Sequence, residues 1–247
     1  MHTELVILVV AFFFIAMIYS SVGFGGGSSY LALLGVMGVH FDVLRPAALL
    51  CNIVVVTGGT YIFWRSGAID FKKSWPFLCA SIPLAFLGGL WQIEDARFFF
   101  ILLGSSLIVA SVLLWIQPEP RRKAHFTNPL LNASLGGAIG FLSGFIGIGG
   151  GIFLSPVLHL MKWAEPRKIS ALASLFILAN SISGLAGQVT QAGGLNWQFI
   201  APLLVAVLIG GQIGSRMGAR KFNPLYIKRI TAIVIFAAAV KILIDNL

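Results

Sequence analysis

The chain has 247 residues, of which 58% are hydrophobic and 10% charged. An ordinary soluble domain carries about 25% charged residues, so a chain of mean hydropathy +0.94 cannot cover a water-facing surface. These figures exclude a secreted disulfide scaffold, a disordered chain and a nucleic-acid-binding domain, and the net charge of +9 is the surplus of Lys and Arg expected in the cytoplasmic loops of a membrane protein.

The apolar runs, in chain order, are 5–38, 46–63, 75–90, 98–116, 129–160, 169–186, 198–213 and 230–246. Met1-His2-Thr3-Glu4 lacks the basic start of a signal peptide, so the first run is expected to remain as a membrane helix. Six runs have the length of one span. The runs 5–38 and 129–160 do not: as single helices each would reach about 50 Å, against a hydrocarbon core of about 30 Å. Both are interrupted by Gly-x-Gly-Gly-Gly, at Gly23–Gly27 and at Gly147–Gly151, 124 positions apart. Gly67-Ala68-Ile69-Asp70 resembles Gly193-Gly194-Leu195-Asn196 in the same way. Trp75 and Trp197, and the pairs Gly88-Gly89 and Gly210-Gly211, repeat at 122. The chain therefore reads as two halves, 1–116 and 129–247, joined by a polar linker at 117–128.

Charge sets the expected topology. The gaps 64–74, 117–128, 161–168 and 214–229 hold 3, 3, 3 and 5 Lys or Arg, while 187–197 holds none. All four basic gaps are cytoplasmic only if run 129–160 enters the bilayer and returns as a hairpin; run 5–38 is expected to do the same, in keeping with Glu4 and no basic residue at the start. Both termini then lie outside, and the second half is inverted relative to the first. The expected fold is an all-α polytopic membrane protein of two inverted repeats, each a glycine-broken hairpin plus three transmembrane helices. Such repeats with broken helices are the usual frame of a secondary transporter.

The glycine breaks are the candidate site. Backbone N–H groups freed at membrane depth need partners from protein or a water-filled cavity. New helices are expected to start near Ser28 and Ile152, and a helix N-terminus attracts anions. The candidate residues are Gly25, Gly26 and Gly27 with Ser20, Ser21, Ser28 and Ser29, and Gly149, Gly150 and Gly151 with Ser143. The plainer alternative is that the glycines only permit close helix contact. Asn52 and Asn180 lie within spans, where an amide either bonds between helices or lines the site. No Lys or Arg lies deep in any run.

The paired glycine motifs, with Pro156 five residues after Gly151, resemble the sulfite exporter TauE/SafE family, also called the toluene sulfonate uptake permease family. Ala171-Leu172-Ala173-Ser174-Leu175 is loosely similar to that family's Ala-x-x-Thr-Ser-Leu motif, and Gly193-Gly194-Leu195-Asn196 to its Gly-x-Ile-Asp gap. Ala48-Leu49-Leu50-Cys51-Asn52 and Gly67-Ala68-Ile69-Asp70 take those places in the first half. Ala32 stands where the second half has Pro156. The resemblance implies a bacterial inner-membrane permease for sulfite, thiosulfate or an organosulfonate, with Ser174 added to the substrate site. Its partners are then a small anionic substrate and the lipid bilayer, with a coupling proton or cation left open, and no bound cofactor or metal.

Other residues read as structural. Cys51 and Cys79 fit no metal spacing and are expected to be small buried hydrophobes. Gln188, Thr190 and Gln191 are expected on a solvated rim and His159 at an interface. Trp64, Trp75, Trp91, Trp115, Trp163 and Trp197 are expected in an interfacial belt. A passive anion channel is the alternative on this architecture. An intramembrane serine hydrolase is disfavoured: in Gly140-Phe141-Leu142-Ser143-Gly144 the first glycine stands three residues before the serine, and no base is in evidence.

Overall fold

A computed structural model describes residues 2–21, 23–116, 128–190, 195–218 and 224–247. These residues form helices without a strand: α1 (His2–Ser21), α2 (Gly27–Val36), α3 (Phe41–Arg65), α4 (Phe71–Leu90), α5 (Ala96–Trp115), α6 (Pro129–Ile146), α7 (Gly151–Leu160), α8 (Pro166–Val189), α9 (Trp197–Gly218) and α10 (Pro224–Asn246). Six of them, α1, α3, α5, α6, α8 and α9, are long and apolar enough to cross a membrane. The protein is an all-α polytopic membrane protein. Most of the linker, Gln191 and the Gly193-Gly194 pair lie outside the described residues.

Local chemistry sets the helix starts. The Asp70 carboxylate accepts from Lys73 N at 3.2 Å and opens α4. Asp95 accepts from Arg97 N at 2.8 Å and opens α5. Asn128 accepts from Leu130 N at 2.9 Å, with Pro129 at the first helical position of α6. Each side chain satisfies an N–H that the helix itself leaves free.

Both overlong runs double back. Along one straight helix Phe12 and Tyr30 would stand roughly 27 Å apart; their rings stack with centroids at 4.5 Å. In the second run a Cβ on Gly150 would lie 3.1 Å from Ile139 Cγ2, eleven residues earlier. The reversals need left-handed backbone, which costs an L-residue roughly 1–2 kcal/mol. Gly23 and Gly26 supply it in the first run (φ 85° and 91°), and Gly147, Gly149 and Gly150 in the second (φ 94°, 84° and 81°).

Glycine also serves the close contact that was the plainer reading. On α6, Gly136, Gly140 and Gly144 form a stripe at every fourth residue, and a Cβ at each would strike Phe77, Ser81 and Ala85 of α4. On α9, Gly210 and Gly214 meet Phe13 and Met17 of α1 likewise. Backbones approach this closely only where both sides lack bulk. The rising registers make α6 parallel to α4 and α9 parallel to α1. Between α3 and α8 the register falls: Thr60 meets Ser174, and Leu49 meets Gly184. These two helices are antiparallel, as are α5 and α10, where Arg97 bonds the carbonyls of Asn246 and Leu247.

Five of the six tryptophans are exposed near helix ends, as an interfacial belt requires. Trp163 departs from the expectation. It is buried, edge-on to Phe77 at 5.8 Å, because the turn after α7 folds it inward. Cys51 is buried as expected, but Cys79 is exposed on the outer face of α4. Gln188 is no rim residue. It is buried and donates from Nε2 to Gly144 O at 2.9 Å, tying α8 to the glycine stripe of α6. His159 is also buried, at the end of α7.

Candidate substrate site at the two helix breaks

The two breaks meet at Asn52. This residue is the twelfth of 25 in α3, so it stands at the middle of the span, and it has no solvent exposure. Its Nδ2 donates to the carbonyl of Ile148, inside the second break, at 3.0 Å. Its Oδ1 is buried without a hydrogen-bond partner. Cβ atoms built on Gly25 and Gly27, from the first break, would fall on this amide, and one on Gly149 would stand 2.5 Å from Nδ2. One side chain thus touches both breaks, and only glycine leaves it room there.

The new helices begin at Gly27 and Gly151, each entered through a left-handed glycine with no side-chain cap. Their first N–H groups have no partner inside the helix. The amino ends of α2 and α7 converge on a cavity of about 10 Å³, lined in part by Tyr19, Ser28, Asn52, Ile148 and Ile177.

The chain matches the model of the "Sulfite exporter TauE/SafE" family over residues 8–242. It belongs to that family. It is 31% identical over 248 residues to "Probable membrane transporter protein y4hK" of Sinorhizobium fredii, covering 98% of this chain and all of the relative. It is 27% identical to "Probable membrane transporter protein YunE" of Bacillus subtilis, with 98% of each chain covered. A third relative, from Xylella fastidiosa, is 26% identical over 89% of this chain and 88% of its own, and also bears the name of a membrane transporter. No solved structure matches. Family and relatives make this TauE/SafE protein a membrane transporter, not an enzyme.

Within this TauE/SafE chain the other expected site residues divide into two groups. Gly25, Gly26, Gly27, Ser28 and Gly151 line the central cavity with Asn52. Ser29 is buried beside it and pairs with Tyr19 Oη at 2.5 Å. Ser143 lies under Gly150, fully buried, its Oγ without a partner. The remainder are directed elsewhere. Ser20 and Ser21 bond back to Met17 and Ile18 of their own helix. Asn180 donates to Phe176 O at 2.8 Å, one turn back in α8. Ser174 pairs with Thr60 Oγ1 at 2.9 Å and so links α8 to α3.

Two further residues belong here. Ser181 on α8 is fully buried, its Oγ has no partner, and that atom would lie 3.0 Å from a Cβ on Gly149. Ile177, one turn earlier, closes on Gly151 as Asn52 closes on Gly27. The amide of one half is thus matched by an apolar side chain in the other. A serine and an isoleucine within an apolar helix carry no sequence signal. Only the rotation of α8 brings them to the break.

Proposed function

We propose that this protein is a secondary transporter of a small sulfur-containing anion, such as sulfite, thiosulfate or an organosulfonate. The substrate binds between the amino ends of α2 and α7, against Asn52 and Ser181. The observation that carries the reading is the Asn52 side chain touching both glycine breaks at the middle of α3. Two helix amino ends offer free N–H donors and partial positive charge to an anion. Asn52 and the serine hydroxyls add direction. Among the described residues no Lys or Arg lines this cavity, so the anion is held without a full ion pair and can leave.

The two halves, 1–116 and 129–247, act as inverted repeats. Support comes from helix directions: α3 and α8 are the third helices of their halves and run antiparallel. The pairing of α1 with α9 recurs between the halves as that of α6 with α4. In this reading the positive loops are inside, the start of α3, the end of α4 and both termini are outside, and the membrane is a bacterial inner membrane. A cavity of about 10 Å³ holds at most about one water, so the anion enters only as the break helices separate. Rocking of the halves then opens the site to one side at a time.

Thermal stability of the purified protein against sulfite, thiosulfate, sulfoacetate, sulfate, taurine and chloride at constant ionic strength tests the substrate class. A ligand at 100 times its dissociation constant stabilises by about 2.7 kcal/mol. A selective upward shift with a sulfur anion supports the reading, and a shift with chloride alone opposes it.

A further inference from the structure

A larger cavity, of about 380 Å³, opens at the end of the bundle where α3 begins and α4 ends. Arg45 lines it. The sequence puts Arg45 just ahead of an apolar run, but α3 starts at Phe41, so Arg45 lies within the helix and is 94% buried, with 6% relative exposure. Its Nε and Nη2 have no hydrogen-bond partner, and its guanidinium lies over the Phe145 ring at 5.9 Å. A buried guanidinium with free donors is costly unless an acceptor meets it. Its forked N–H groups fit the oxygens of an oxyanion.

We infer that this cavity is a second oxyanion-binding site, built on Arg45 and distinct from the central one. It holds the anion on its way to or from Asn52; that place on the route, though not the binding, rests on the transport reading above. The carboxylates of Asp42 and Glu94 line the same cavity, but both are exposed to water, and Asp42 is engaged with His40 Nδ1 at 3.2 Å. Asp42 acts on the Arg45 charge and offsets it in part, but water screens both exposed carboxylates more than it screens the buried guanidinium. Arg45 also touches the second break directly: a Cβ on Gly147 would stand 3.1 Å from the Arg45 carbonyl oxygen. At the matching place in the first break, Gly23 faces Phe63 and Ser170 instead. The position that holds Arg45 beside the second break thus holds a serine beside the first.

Trp91 reports on this site, since it lines the cavity and its ring lies 6.4 Å from that of Phe145. The full chain in detergent is titrated with thiosulfate and with methanesulfonate at constant ionic strength, chloride being the background salt. A saturable fluorescence change is expected, absent from Trp91→Phe. Arg45→Gln should weaken binding by about tenfold or more, with Arg45→Lys in between. Glu94→Gln, on the exposed rim, should leave it equal or tighter, and reads the same charge logic if Arg45→Gln does not fold. No saturable change with either anion, an unaltered titration in Arg45→Gln, or weaker binding in Glu94→Gln overturns the inference. Transport by Asn52→Ala, measured separately, tests the central site alone.

Discussion

Asn52 Nδ2 and the Ile148 carbonyl, 96 positions apart in sequence, meet at 3.0 Å and tie the first half of the chain to the break in the second. The bond joins α3 to backbone that no helix satisfies. It also fixes the amide so that its Oδ1 faces the space between the breaks, beside Gly25.

Removing that amide should be costly twice over. Asn52→Leu strands the Ile148 carbonyl in a buried place, which costs about 1–3 kcal/mol. The expected result is a lower melting temperature with transport reduced to background. Fluorescence-detected gel filtration with heating, together with uptake into vesicles, checks both.

Ser181 separates lining from scaffolding. Its hydroxyl is buried without a partner, so Ser181→Ala removes no bond and should leave stability unchanged or raise it, by up to about 1–3 kcal/mol. Transport should nonetheless fall several-fold, or its preference among anions should change. Unaltered kinetics across the anion panel would remove Ser181 from the site.

Two glycines that both have left-handed backbone should behave differently. Gly38 has φ 70° with nothing within 4 Å of its added Cβ, so Gly38→Ala should cost only the strain of left-handed backbone, about 1 kcal/mol, and leave transport intact. Gly149→Ala carries the same strain and also drives a methyl to 2.5 Å from Asn52 Nδ2. It should abolish transport while the protein still inserts. Uptake normalised to membrane content distinguishes them.

The Thr60–Ser174 pair is an interhelical bond outside the central cavity. A double-mutant cycle with Thr60→Val and Ser174→Ala should return a coupling of about 0.5–1.5 kcal/mol in stability. Ser174→Ala that lowers transport without a stability change would restore Ser174 to the substrate site.

The breaks themselves were legible because length and composition disagreed: an apolar run too long for one span, cut by three adjacent glycines, admits few folds. Asn52 was legible as an amide where amides are expensive. Ser20 and Asn180 were equally visible, yet their side chains close on their own helices, an outcome set by local rotation rather than by residue type. Arg45 reads as a residue outside the spans because the apolar run starts one residue after it, whereas the helix starts four residues before it. Gln188 read as rim by its place near a span end, but the glycine stripe of α6 offers it a carbonyl, which draws it inside.

The most direct measurement is counterflow of radiolabelled sulfite or thiosulfate in proteoliposomes, comparing the natural protein with Asn52→Ala. Alternating access around the Asn52 junction predicts saturable uptake, accelerated by unlabelled anion on the opposite side and lost in the variant. Uptake indifferent to the opposite side and carried by large single-channel currents, or undiminished in Asn52→Ala, would contradict it.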